Sequence, residues 1–353
     1  MTHVEAPWRM PAEWAPHERT WMAWPSSGYT LGDTEEEAGS ARRTWAAVAR
    51  AVAGFEPVTV VADPADVEVA REFLGGGTAF AVDVVEAPLD DAWMRDIGPS
   101  FVVSPEGRLG AVDWVFNGWG AQAWATWAKD AEVGRFVAGL AGAEVVDSPM
   151  VNEGGGLHVD GLGTVLLTET VQLDPGRNPG LTHADVETEL MRTLGATAFV
   201  WLPRGLTRDY DEFGTRGHVD ILATFASPGV VLLHWQEDPS HPDHQVSREA
   251  EAVLLAAHDA RGESLRVVRV PAPRTLTDEH GPVDWSYINH LVVNGGVVAC
   301  TFDDEQDEAS LAILAREYSG RRVVGVDARP LFDRGGGIHC ITQQQPWVPG
   351  ATA

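Results

Sequence analysis

Lysine is almost missing from this chain. Lys129 is the only one among 353 residues, and Lys and Arg together number 25 against 52 Asp and Glu. The formal charge of −27 leaves no clustered basic surface for phosphate, which argues against nucleic acid or anionic lipid as a partner. The same deficit removes any G-x-x-x-x-G-K-[ST] nucleotide loop, and no G-x-G-x-x-G follows a strand pattern. Cysteine is scarce too: positions 300 and 340 are the only two, so no disulfide framework is on offer. No stretch approaches the ~18 uninterrupted apolar residues needed to span a bilayer. The first ten residues hold Glu5, Trp8 and Arg9 and lack the apolar run of a secretory leader. A cytoplasmic protein is expected. The acidic surface suits a small cationic ligand through steering, and equally suits plain solubility.

What is present is a recurring unit. A polar or glycine-rich entry followed by β-branched residues appears at 95–103, 152–167, 217–225, 286–302 and 335–342. Further strands are expected at 58–62, 230–233, 267–270 and 323–326. Helical spacing intervenes at 34–53, 124–140, 183–194, 247–258 and 304–318, with Asp304 and Asp307 placed like a loose capping box. The recurrences give about five ββαβ units of roughly 50 to 70 residues, an α/β propeller in preference to a doubly wound sheet. No linker divides the chain, so residues 1–353 are expected to form one catalytic domain.

Four short runs carry chemistry. Cys340 follows Gly335-Gly336-Gly337, where glycines allow close backbone approach to a ligand, although a free cysteine is as often a small core residue. Cys300 lies in an apolar strand and reads as core. His218 and Asp220, two apart on a presumed strand, would share a face as an acid–base pair or as a plain surface pair. Asp96 in Trp93-Met94-Arg95-Asp96-Ile97-Gly98-Pro99 and Glu153 before Gly154-Gly155-Gly156 each bring a carboxylate to a glycine-marked strand end, or merely cap a turn. Together they meet one requirement. A guanidinium needs carboxylates to grip its N–H groups, a nucleophile at its carbon, and an imidazole to protonate the departing ammonia.

These runs have a known counterpart. With Met10-Pro11-Ala12-Glu13-Trp14, Phe116-Asn117-Gly118-Trp119-Gly120, Ser286-Tyr287-Ile288-Asn289 and the final Gly335–Gln344 segment, the chain resembles the agmatine deiminases and bacterial peptidyl-arginine deiminases among the guanidine-modifying penteins. The resemblance implies a five-bladed fold and hydrolysis of agmatine to N-carbamoylputrescine without metal or cofactor. It implies Cys340 as nucleophile, His218 as acid/base, Asp96 and Asp220 on the guanidinium, and Glu153 orienting His218. Trp93, Trp119 and Gly337 would line the pocket, and self-association is expected.

One segment departs from the family pattern. Gly214 stands where these enzymes carry an acid, and Arg216 stands where Asn or Asp is usual. Arg216 would suit a carboxylate on the substrate, as in arginine, an arginyl derivative or a guanidino acid. It could instead pair with Asp209, Asp211 or Glu212 in its own loop. Amidino transfer and non-catalytic guanidine binding are the rivals on the same fold. The irregularly spaced His234, His241 and His244 read as a solvated loop rather than a metal site, and no papain-like cysteine motif occurs near the start.

Overall fold

The protein is described by a computed structural model over residues 8–26 and 28–349. The reading of the first residues as leaderless therefore lies, for residues 1–7, outside the described part.

The fold is mixed α/β and five of its sheets share one plan. In each, an antiparallel pair is extended by a parallel strand reached through a helix. Four of them are Ser100–Val103 with Leu109–Val115 and Glu144–Val151, Leu157–Val159 with Thr164–Thr168 and Ala198–Leu202, Ala223–Ser227 with Val230–Trp235 and Arg266–Pro271, and Leu291–Val293 with Gly296–Thr301 and Arg322–Asp327. The fifth joins distant parts of the chain. Thr342–Pro346 pairs antiparallel with His17–Ala23, which runs parallel to Val58–Ala62, itself parallel to Val82–Glu86. Every residue of Val58–Ala62 is buried, as a parallel strand covered on both faces must be.

The helices follow the apolar spacing. Glu35–Val52 buries Ala38, Ala41, Trp45, Val48, Ala49 and Val52, and Thr34 with Glu37 closes its start as a reciprocal capping box. His183–Leu194 is capped in the same way by Thr182 and Asp185, and stops at Gly195, whose φ of +66° is the left-handed conformation that glycine adopts freely. Two expectations shorten. The helix expected over 124–140 is Val133–Leu140 after a turn at Asp130–Glu132, because the Trp124 ring stacks on Trp119 at 5.3 Å and holds its segment as a loop. The helix expected from Asp304 is Asp307–Glu317; Asp304 instead accepts backbone N–H groups of Arg274, Thr275 and Gln306.

The other difference bears on function. The polar and glycine-rich entries are turns: Met94–Ile97 is one helical turn, and Gly154–Gly156 and Val219–Ile221 are 3-10 turns, the last where a strand carrying His218 and Asp220 is expected. Each leads into the first, antiparallel strand of its sheet. Asn289 stands just before Leu291–Val293, and Cys340 just before Thr342–Pro346. The same lead-in of all five sheets thus carries a residue of the candidate site.

Candidate active site

Cys340 is only 4% exposed. The Asn289 side-chain amide donates to its Sγ at 3.2 Å, and the Asn289 Oδ1 takes the His339 backbone N–H at 2.9 Å. The glycines before it serve close approach. A Cβ on Gly337 would sit 2.5 Å from the Asn289 Oδ1, and one on Gly336 would meet the Trp93 ring at 2.7 Å and the Cys340 Sγ at 3.1 Å. The thiol faces Oδ2 of Asp220 at 3.5 Å. Burial, then Asp220 and Asp96, push that thiol well above its ordinary value, so it is held in the protonated form.

His218 is held from both sides. Its backbone N–H donates to Asp209 at 3.0 Å, and the same carboxylate collects the N–H groups of Thr215 and Gly217. Its Nε2 lies 3.1 Å from Glu153 Oε2, while Nδ1 lies 3.9 Å from Asp96 and has no hydrogen-bond partner among the described residues. Burial favours the neutral ring, but Asp96 and Glu153 outweigh it and raise His218 to about 9. Burial would likewise protonate Glu153, yet Arg177, which donates to both carboxylate oxygens at 3.0 and 2.9 Å, and His218 hold it down at about 2. Asp96 receives the Trp119 indole N–H at 2.9 Å and the Gly155 N–H at 3.2 Å; burial, against the pull of His218, raises it to about 6.

Asp220 completes the group. Its Oδ2 accepts from His339 Nδ1 at 2.7 Å, and its Oδ1 is buried with no partner among the described residues. Against the opposing effect of burial, that contact keeps its carboxyl below the usual range. At neutral pH the site therefore holds a thiol, an imidazolium and ionised carboxylates, and two of its atoms, Nδ1 of His218 and Oδ1 of Asp220, have no hydrogen-bond partner among the described residues. Buried polar atoms without partners are uncommon and suit a site awaiting a ligand.

Comparison with known proteins decides the family. The description Porphyromonas-type peptidyl-arginine deiminase matches residues 9–346. The chain belongs to this family. Relatives within it include an agmatine deiminase of Pseudomonas aeruginosa, 41% identical over 361 residues covering 96% of this chain and 95% of the other. A Streptomyces coelicolor protein provisionally named an agmatine deiminase is 60% identical, over 96% and 98%. Among solved structures, an agmatine deiminase of Enterococcus faecalis described as catalysing its reaction superposes with a TM-score of 0.88 at 32% identity, covering 96% of each chain.

Within this family member the structure brings Cys340, His218, Asp96, Asp220 and Glu153 together, but by turns. His218 and Asp220 do not share a strand face; His218 stands at the start of the 3-10 turn Val219–Ile221 and Asp220 lies within it. Trp93 and Trp119 are both buried beside the site, Trp93 donating to the Tyr29 hydroxyl at 2.8 Å. Arg216 departs from expectation. It makes no ion pair within its own loop but reaches Asp174 at 3.3 Å, with Arg177 on the same oxygen at 3.0 Å. Gly214 lies against the Asp209 backbone, leaving no room for a side chain.

The histidine-bearing loop is not solvated as expected. His234 and His241 are buried, His234 bonded to Ser286, and burial with nearby His241 lowers His234 to about 3. Among the described residues the one group of three ligating side chains is Glu13, His158 and His339. It is poorly made for a metal. His158 Nδ1 accepts the Phe225 N–H at 3.3 Å, so the neutral ring carries its proton on Nε2, the atom that would have to ligate. Sequence reasoning missed His339, Asn289, Asp209 and Arg177 as site residues. Asn289 and His339 stood inside matched runs, but nothing in their spacing announced a partner; Arg177 lies in a loop with no periodic signal.

Proposed function

We propose that this chain hydrolyses agmatine to N-carbamoylputrescine and ammonia. The observation that carries this reading is the pair of orphaned atoms, His218 Nδ1 and Asp220 Oδ1, beside a buried thiol and the carboxylate of Asp96. A flat cation with N–H donors gives Oδ1 of Asp220 the partner it lacks and adds a charge-assisted contact to Asp96. Its charge, added next to an imidazolium, drives one proton out of the site, and loss from Cys340 gives the nucleophilic thiolate.

The thiolate then bonds to the guanidinium carbon, giving a tetrahedral adduct. His218 donates its proton to one amino nitrogen as that C–N bond breaks and ammonia leaves, and an S-alkylthiouronium cation remains on Cys340. Neutral His218 takes a proton from water as the oxygen bonds to the carbon. The C–S bond breaks, the hydroxyl proton goes to solvent, and the ureido product departs. Glu153 keeps His218 oriented throughout; Trp93, Trp119 and Gly337 shape the walls.

Agmatine is favoured over a guanidino acid by charge. Arg216, the residue that would have met a substrate carboxylate, is engaged by Asp174. A cavity of about 210 Å³, lined by Tyr29, Asp90, Asp91, Trp124 and Phe213 among others, adjoins Trp93 through Tyr29. The Asp90 carboxylate and the aromatic rings there suit an ammonium tail better than a carboxylate. The five sheets of one plan, each delivering a site residue from the same lead-in, support reading them as blades around a central site and residues 1–353 as one catalytic domain. Self-association and a cytoplasmic location rest on family likeness; no described helix is long and apolar enough to cross a membrane.

The test is ammonia release from agmatine, arginine and 4-guanidinobutyrate, with and without glycine as amidino acceptor. Agmatine should give the highest kcat/KM, unaffected by glycine, and Cys340→Ala should lose activity by at least about 10³-fold. Preference for the guanidino acid, transfer to glycine, or an active Cys340→Ala would each overturn the proposal.

A further inference from the structure

The nucleophile's neighbour in sequence has a job that the mechanism leaves unassigned. His339 touches two carboxylates, Asp220 Oδ2 through Nδ1 at 2.7 Å and Glu13 Oε1 through Nε2 at 2.8 Å, with all three side chains buried. A neutral imidazole has a single N–H and could donate to only one of them. Two carboxylates on opposite nitrogens therefore call for the imidazolium.

Glu13 is itself fixed. Arg95 lies 3.5 Å from it and also donates to Gln344 at 2.9 Å and to the His339 carbonyl at 3.3 Å. The strand that carries Gln344 starts two residues after Cys340, so the network ties the nucleophile's turn to the segment bearing Glu13.

We propose that Glu13 and His339 form a positioning dyad that clamps Oδ2 of Asp220, leaving Oδ1 turned toward the guanidinium. This rests on the deimination reading above. The titratable and charged groups facing His339 are Glu13, Asp220, Arg95, His158 and His290. Those facing Asp220 are His339, His218, Arg95, Asp96, Cys340 and Cys300. Of the cations in this set, His339 is the one in direct hydrogen-bond contact with Asp220. Without it the buried Asp220 would hold its proton to higher pH, and a protonated acid attracts a cation poorly.

The test is the pH profile of kcat/KM for agmatine in His339→Gln and Glu13→Gln. For His339→Gln the buried Asp220 should titrate above Asp96, which sits near 6, so the acid limb should move up by about one unit and KM should rise about tenfold, while the alkaline limb stays in place. Glu13→Gln should move the same limb in the same direction by less. A folded His339→Gln enzyme with an unmoved acid limb, or a loss confined to kcat, would overturn the proposal, since a merely structural role predicts that pattern. If His339→Gln does not fold, the Glu13→Gln limb decides. A substrate-free readout separates this idea from the reaction itself. Nitrogen NMR of the unmodified protein at pH 8 should show a second doubly protonated histidine beside His218, absent in His339→Gln, whose signals move in Glu13→Gln; a neutral His339 ring would refute the dyad whatever the substrate.

Discussion

Glu153 touches an imidazole and a guanidinium at once, and both contacts set the proton on His218. Its Oε2 holds Nε2 of His218, while Arg177 forks onto both oxygens. Because His218 is raised by Asp96 and Glu153 against its own burial, replacing Glu153 by the neutral, similarly shaped Gln lowers the pH at which the imidazolium is lost. The alkaline limb of kcat/KM should move down from near 9, and kcat should fall by about 10²-fold, the usual worth of a well-placed proton donor. An unmoved alkaline limb in a folded Glu153→Gln enzyme would remove Glu153 from this role. At this scale the sequence was informative where chemistry is concentrated. Cys340 and His218 stand in glycine-marked runs, and their residue types name their tasks. Asp209 and Arg177 were illegible because their importance comes from bonds to residues 9 and 24 positions away.

Turns, more than strands, build the site. Gly154–Gly156 passes so close to the other lead-ins that a Cβ on Gly155 would lie 2.5 Å from His218 Nδ1 and 3.1 Å from Asp220 Oδ2. Gly155→Ala should therefore fill the space meant for substrate. Activity should fall by at least about 10²-fold, because small displacements of reacting groups are costly, and crowding a buried site should also lower the melting temperature. A fully active Gly155→Ala enzyme would show that the space lies elsewhere. The periodic elements were read well from sequence: residues 183–194 form the helix that the apolar spacing gives, and Val58–Ala62 the strand. The lead-in at His218 reads as a strand because Val219, Ile221 and Leu222 look β-forming in isolation; that they instead close a 3-10 turn depends on Asp209 capturing the N–H groups of Gly217 and His218 from outside the segment.

For the molecule as a whole, burial of titratable groups sets the pH of greatest stability. Asp91 and Asp284 are raised to about 7 by burial, Asp96 to about 6 and His218 to about 9. Groups raised on folding stabilise at low pH and lose that contribution as pH climbs through their folded values. Glu153, near 2, and His234 and His290, lowered by burial to about 3 and 4, act in the opposite sense and lose theirs as pH falls. Above about 6.5 only the first set is still titrating, and the charge of −27 adds self-repulsion. Thermal melts should show a maximum on the acid side of neutrality and a declining midpoint from pH 6.5 to 9. A midpoint that rises over that interval would mean that the buried acids are solvated in the folded state.

The pairing of Thr342–Pro346 with His17–Ala23 has a consequence for how activity appears in time. During synthesis the strand at His17–Ala23 must wait, one edge open, for more than three hundred further residues. Cys340 sits two places before the segment that closes this edge. A ribosome-bound chain lacking residues 342–346 thus has neither an anchored nucleophile nor Gln344 to hold Arg95, and a guanidine cannot be attacked by a half-made copy.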